Sequence, residues 1–160
     1  MAQQYPIVGP EDIMSQKAHG TTETEVQENL RFGVDRAKAD QICCFNRHYA
    51  EHSGYFLKTL FQKEIDESKT MSFYDSVSGK KLYEAPIGRT WEEFIAESKA
   101  HGWPSFREAE VIWENVRCLE NGEAVSLEGT HLGHNLPDGK GNRYCINLVS
   151  IAGNPTGSNL

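Results

Sequence analysis

Residues 129–151 read GTHLGHNLPDGKGNRYCINLVSI, and this stretch contains the highest density of reactive side chains in the chain. From 143 to 151 polar and apolar residues alternate, which predicts a half-buried strand. One face of it would carry Tyr144, Ile146 and Leu148, and the other Arg143, Cys145, Asn147 and Val149. Turn signals at 137–139 and 141–142 fold the chain back, which would bring His131 and His134 beside Cys145. The stretch therefore predicts a Cys/His site on a strand.

Other interpretations of the same residues stay open at this point. A cysteine within a strand is often a small buried hydrophobe, and two histidines three residues apart can be surface polarity or a metal clip. A cysteine that shares a chain with histidine and asparagine is only a candidate nucleophile. Spacing alone does not separate a catalytic site from a structural or metal-binding one.

Composition and charge narrow the classes of partner. The chain has 160 residues, 38% of them hydrophobic, which suits one domain with a sizeable core. Its formal net charge of −7 argues against nucleic acid, because phosphate binding requires clustered Lys and Arg. No apolar run is long enough to span a bilayer, and the start lacks a basic patch followed by an apolar core. We expect a cytoplasmic monomer without a cofactor.

The first 70 residues are predicted to form a helical extension packed on the rest. Residues 1–24 are rich in polar residues, Gly and Pro, which favours a loose or partly disordered wrap. From 25 to 61 the apolar spacing becomes helical and predicts two or three short helices. Cys43 and Cys44 lie here, close to His48 and His52. A metal site is one interpretation; we favour a solvated helical face with one or two buried thiols, because metal ligands normally come as spaced pairs from two elements.

The remainder, 71–153, predicts a mainly β, α+β core. Residues 71–83 read as strand, turn, strand with the bend at 78–79, and Asn121-Gly122 marks a hairpin between strands at 111–118 and 124–127. Thr90 and Glu93 form a capping box that opens a helix, which Gly102 ends. Residues 154–160 consist mainly of Gly, Pro, Ser and Asn and predict a flexible tail.

Three motifs along this core resemble one known family. Residues 102–106 read GWPSF, 131–134 read HLGH followed by PDG at 137–139, and 143–147 read RYCIN. In this order and spacing they resemble the methionine-R-sulfoxide reductases, the MsrB family, over about 71–153. The resemblance implies a small, twisted, antiparallel two-sheet β core with short helices on the N-terminal side.

The resemblance also implies an activity and a set of roles. The reaction is thiol-dependent reduction of methionine R-sulfoxide, in proteins or free, with a thioredoxin-like or small-thiol reductant. Cys145 would be the nucleophile, and Arg143 would favour its thiolate by its positive charge. His131 and His134 would donate to the sulfoxide oxygen, and Asn147 would orient that oxygen or a water. Substrate contacts would come from Trp103, Phe106 and Asp138, although Trp103 could also be a plain core aromatic.

Two departures from the family pattern concern its other cysteines. Where many members hold zinc with two Cys-x-x-Cys pairs, this chain has Asp75 and Ser78 and, of the second pair, only Cys118. One thiolate cannot close a tetrahedral zinc site, so we expect no metal. His101 stands where many members have the resolving cysteine. Cys43 or Cys44 is then the candidate resolver, and a one-cysteine enzyme regenerated directly by a thiol is the alternative. A non-catalytic module that binds peptides or metal is the competing function of a different class.

Overall fold

The computed structural model of the protein describes residues 4–156 and forms two antiparallel sheets with short helices around them. Two segments of this described part are α-helical, α1 (Arg36–Asp40) and α2 (Trp91–His101), and α1 continues into a π-helical turn at Gln41–Phe45. The strands are β1 (Met71–Tyr74), β2 (Lys81–Ala85), β3 (Ser105–Phe106), β4 (Val116–Cys118), β5 (Glu123–Ser126), β6 (His131–Asn135) and β7 (Tyr144–Ile146). Short 3₁₀ helices lie at Glu11–Met14, Arg31–Gly33, Tyr55–Lys58, Gln62–Glu64, Glu108–Glu110 and Leu148–Ile151. The prediction of a mainly β, two-sheet architecture is confirmed at this level.

Strand pairing places β7, the strand that carries Cys145, inside the larger sheet. β1 and β2 form a two-stranded sheet, and the other five strands lie in the order β3-β7-β6-β5-β4. The predicted hairpins at 71–83 and around Asn121-Gly122 are the β1–β2 and β4–β5 pairs. β7 lies between β3 and β6, so the Cys145 backbone is held on both sides.

Helix α2 matches its sequence signals at both ends. The Thr90 side chain accepts from the Glu93 N–H and the Glu93 carboxylate accepts from the Thr90 N–H, so the predicted capping box is present. Gly102 ends the helix in the left-handed region at φ 95°. A Cβ there would come within 1.9 Å of Ser53 Oγ, which adds a steric reason for glycine. Helix α2 therefore ends at Gly102, shortly before β3 begins at Ser105.

An aromatic core fills the space between the sheets and α2. Phe106 stacks on Tyr83 with ring centroids 4.3 Å apart and meets Phe73 and Phe94 edge-on. Phe61, from the N-terminal segment, contacts Phe73 and Phe94 as well. The first 70 residues thus contribute side chains to the same core as the sheets.

Residues 4–24 are more ordered than their composition predicts. The Gly9 N–H donates to the Cys118 carbonyl, and the Cys118 N–H donates to the Ile7 carbonyl, so this segment covers the outer edge of β4. Met14 and Thr22 are buried. The prediction of a loose wrap is wrong here, because backbone pairing and burial compensate for the lack of regular periodicity.

The predicted strand at 143–151 is too long. β7 stops at Ile146, and Leu148–Ile151 forms a 3₁₀ helix. All four residues of that helix are buried. When a segment is buried on every side, the spacing of its apolar residues does not distinguish a strand from a helix. The predicted strand at 111–118 is likewise shorter and begins at Val116.

The predicted flexible tail lies only partly within the described residues. Its described part is hydrogen-bonded: the Asn154 N–H donates to Gln27 Oε1, and the Thr156 hydroxyl donates to the Ser78 carbonyl. Residues 157–160 lie outside the described range. None of the helices between residues 4 and 156 has the length and apolar character that crossing a bilayer requires.

Candidate active site

Cys145 lies on β7, lines a cavity of about 390 Å³ and is 9% exposed. Arg143 Nη1 is 2.6 Å from Cys145 Sγ, and Ser105 Oγ is 3.8 Å from it on the neighbouring strand. Arg143 thus donates a hydrogen bond to the cysteine sulfur and places a positive charge beside it. The predicted alternation of Arg143 and Cys145 on one face is therefore confirmed, and it produces a direct contact.

The cavity collects residues from five parts of the chain. They are Arg47, His48, Tyr49, Ala50, Trp103, Asn121, Glu123, His131, Gly133, His134, Leu136, Cys145 and Asn147. Five of the predicted site residues are in this set: Cys145, His131, His134, Trp103 and Asn147. Four other lining residues, 47–50, belong to the N-terminal segment, which lies outside the family resemblance.

A β-bulge brings His131 and His134 to the same side of the sheet. In a regular strand, residues three apart point to opposite faces. Here Ala124 pairs with Gly133 and Val125 pairs with His131, so one residue of β6 has no opposite partner. The extra residue shifts the alternation, and both histidines line the cavity. His134 is directly opposite Cys145 in the register of β6 and β7.

His131 is held by a buried carboxylate that sequence reasoning missed. Its Nδ1 is 2.8 Å from Glu123 Oε2, and Arg47 binds the same carboxylate with Nη2 at 2.7 Å. Burial favours a higher pKa for Glu123, but hydrogen bonds from His131 and Arg47 outweigh it, and the pKa is lowered. An ionised Glu123 fixes the Nδ1–H tautomer, leaves Nε2 free to act in the cavity and can balance an imidazolium charge. No short motif marks Glu123, since its role depends on the β5–β6 pairing.

His134 is the exposed member of the pair. Its Nδ1 lies 2.8 Å from the Asn135 carbonyl oxygen, an acceptor only, so Nδ1 carries the proton. Proton donation from Nε2 then requires the imidazolium form. His131 and His134 thus present the same ring nitrogen for proton transfer, one buried and one in contact with solvent.

Glu51 holds two residues that line the cavity, and sequence reasoning missed this role as well. Its N–H donates to Asn147 Oδ1, its carbonyl accepts from Trp103 Nε1, and its carboxylate accepts the N–H groups of Leu148 and Val149. Trp103 and Asn147 are thereby fixed by one residue of the N-terminal segment. Burial raises the pKa of Glu51 to about 7.

We expect Glu51 to make stability depend on pH. Because its pKa rises from 4.5 to about 7 on folding, the folded protein holds more protons than the unfolded chain between these values, and stability falls as pH rises through them. Glu51→Gln stays neutral at every pH. From pH 5 to pH 8, wild type should therefore lose about 2 to 3 kcal/mol of its free energy of unfolding relative to this variant. Urea unfolding at several pH values measures this. Exposed Glu92→Gln is the control, and parallel curves for wild type and Glu51→Gln would contradict the assignment.

Two predicted substrate contacts lie elsewhere. Phe106 is fully buried in the aromatic core, because β3 pairs Ser105 with Cys145 and so turns the next residue to the opposite face. Asp138 binds Arg107 at 3.0 Å and lies 3.7 Å from Arg143 Nε, and the histidine that it approaches is His101, which does not line the cavity. The hydrogen bond from Arg107 lowers the pKa of Asp138 to about 2. Asp138 therefore supports the arginine that contacts Cys145, and neither residue lines the cavity.

The remaining thiols are buried away from the cavity lining. Cys43 lies in the π-helical turn near Ser150, with Sγ 3.6 Å from its hydroxyl, and burial raises the pKa of Cys43 well above its ordinary value. Burial also raises the pKa values of Cys44 and Cys118 to about 12. The thiolate is the attacking form, so these environments do not favour a resolving role. At the position where the motif resemblance would place a zinc ligand, Asp75 is buried and accepts from the Thr130 hydroxyl at 2.8 Å.

Fold and site together define a small α+β protein with antiparallel sheets of two and five strands and a cysteine cavity built across the larger one. No family model and no solved structure matches the chain.

Proposed function

We propose that the protein is a thiol-dependent methionine-R-sulfoxide reductase with Cys145 as its nucleophile. The observation that carries the proposal is the 2.6 Å contact between Arg143 and Cys145 Sγ in a cavity shared with two histidines and a tryptophan. This set offers what sulfoxide reduction needs: a cysteine nucleophile beside a positive charge, proton donors for the departing oxygen, and a flat apolar surface for the methyl group. The choice of methionine sulfoxide as the substrate, and of its R epimer, rests on the motif resemblance.

The proposed reaction balances in two steps. In the first, the Cys145 thiolate attacks the electrophilic sulfoxide, the S–O bond breaks, and the oxygen passes to Cys145 as a sulfenic acid while methionine forms. His131 and His134 supply protons to the oxygen, and Glu123 holds His131 in place. In the second, two equivalents of an external thiol reduce the sulfenic acid to Cys145 thiol, releasing water and a disulfide. The methionine sulfur is reduced and the external thiol is oxidised.

The environments of the cysteines favour direct reduction of the Cys145 sulfenic acid by an external thiol, without a resolving cysteine. Cys43 and Cys44 are buried with raised pKa values, whereas Cys145 faces a cavity. A small thiol or a thioredoxin-like protein would serve as the reductant, and oxidised proteins or free methionine sulfoxide as substrates. All four cysteines are free thiols, which fits a reducing compartment such as the cytoplasm.

The proposal predicts epimer-selective reduction. With dithiothreitol as reductant, wild-type protein should convert methionine R-sulfoxide, free or in a peptide, and leave the S epimer unchanged. Chiral chromatography of the products measures this, and methionine formation should match dithiothreitol oxidation one to one. Reduction of neither epimer would favour the competing hypothesis of a non-catalytic binding module, and reduction of the S epimer alone would contradict the assignment.

A further inference from the structure

A second cluster of reactive side chains lies in the N-terminal segment, and the proposed reaction does not use it. It consists of His19, Asp40 and Cys44, whose donor atoms all lie within 4.8 Å of one another. His19 Nε2 is 2.9 Å from Asp40 Oδ2, and Cys44 Sγ is 3.7 Å from Asp40 Oδ1. An imidazole, a carboxylate and a thiol are the three side-chain groups that bind zinc.

We propose that His19, Asp40 and Cys44 bind one divalent transition-metal ion of the zinc type. The donors come from two separate elements, as metal ligands usually do. Asp40 and Cys44 are four residues apart across the junction of α1 and the π-helical turn, so they share one face, and His19 reaches them from a short hairpin. This pairing is not visible in the sequence, because 21 residues separate His19 from Asp40.

The distances suit tetrahedral coordination after small adjustments. Zinc bonds of about 2.0 Å to nitrogen or oxygen and about 2.3 Å to sulfur place neighbouring ligand atoms about 3.3 to 3.6 Å apart. The contacts at 2.9 Å and 3.7 Å lie on either side of this range. An ion would therefore replace these two hydrogen bonds with shifts of a few tenths of an ångström in each pair, and the donor atoms of the third pair, His19 and Cys44, start within 4.8 Å of each other.

The backbone around the cluster is already arranged. The Thr21 N–H donates to the Cys44 carbonyl at 2.8 Å, and the Val26 N–H donates to Asp40 Oδ1 at 3.1 Å. Gly20 has φ +67°, and a Cβ there would come within 1.9 Å of the Cys44 carbonyl oxygen. The hairpin is thus fixed against the helix, and the Val26 N–H orients the carboxylate as the outer partners of metal ligands do.

Charge and access favour an ion at this place. Among residues 4–156 the ion-pair partner of Asp40 is His19, with no arginine or lysine competing for the carboxylate. A bound metal ion displaces the proton of a coordinating thiol, so one thiolate and one carboxylate would neutralise a divalent cation. The side chains of His19 and Asp40 are 27% and 24% exposed, so water can complete the fourth position. By contrast, the carboxylates of Glu97 and Asp138, which approach His101, are already paired with arginine.

The experiment uses Co²⁺ as the probe with the full-length, metal-stripped protein under reducing conditions. We expect one equivalent to bind with visible bands of tetrahedral cobalt and a near-ultraviolet thiolate-to-cobalt band, and Zn²⁺ to displace it. Cys44→Ser should remove the thiolate band and weaken binding about 100-fold or more. Cys43→Ser is the matched control, because Cys43 faces Val149 and Ser150 and should leave the spectrum unchanged.

His19→Ala provides a second variant at a partly exposed position, where folding is preserved most easily. It should weaken Co²⁺ binding while circular dichroism stays as in wild type. Absence of stoichiometric Co²⁺ binding by wild type would overturn the proposal. So would an unchanged thiolate band in Cys44→Ser, or its loss in Cys43→Ser alone. A bound ion here would replace the sequence-based expectation of a metal-free protein.

Discussion

Cys145→Ser should lose essentially all dithiothreitol-dependent reduction of methionine R-sulfoxide, by a factor of at least about 10³ in kcat. The hydroxyl keeps the shape of the site but is a far weaker nucleophile than a thiolate, and no sulfenic acid can form on it. A coupled assay that follows methionine formation measures the loss. Arg143→Ala should reduce the rate as well, because it removes the guanidinium that lies 2.6 Å from Cys145 Sγ.

Cys118→Ser is the matched control for the nucleophile. Cys118 is fully buried, whereas Cys145 is 9% exposed; Cys118 lies on β4, the edge strand far from β7, and does not line the cavity. It should keep wild-type activity if the protein stays folded, which thermal unfolding checks. An active Cys145→Ser variant would rule out the enzyme that we propose.

Glu110→Ala should cause the largest loss of stability, about 3 kcal/mol in the free energy of unfolding. Glu110 is fully buried, and its carboxylate accepts two hydrogen bonds from Arg89 and others from the Ile87 and Arg107 N–H groups. Removing one partner of a buried ion pair leaves the other uncompensated. Arg89 keeps Glu97, so we expect the lower end of the usual range. A fall of about 10 °C in Tm corresponds to this.

The same change should disturb β3, which pairs with β7 beside Cys145. Arg89 Nη2 donates to the Ser105 carbonyl, and Ser105 pairs with Cys145. Glu120→Ala removes an exposed carboxylate and serves as the control, with an expected change within about 0.5 kcal/mol. Equal stability of the two variants in urea titrations would mean that the Arg89–Glu110 pair does not hold β3 as the contacts indicate.

Local sequence signals determined the elements whose determinants lie close together in the chain. The capping box of Thr90 and Glu93, the αL position of Gly102 and the Asn121-Gly122 turn are decided by residues within a few positions of each other. The contact between Arg143 and Cys145 follows in the same way, because residues two apart on a strand share a face. These parts could be predicted because their physical causes are local.

Tertiary structure alone decided how the site is completed. The bulge in β6 puts His131 and His134 on one side, and it depends on pairing with β5. Glu123 lines the cavity and Glu51 holds two residues that line it, and both come from segments whose sequences carry no catalytic motif. Burial gives Glu51 its raised pKa. The strand predicted beyond Ile146 became a buried 3₁₀ helix, because packing on every side removes the periodicity that distinguishes strand from helix. Long-range contacts of this kind cannot be read from residue order, since they arise only when distant segments share one core.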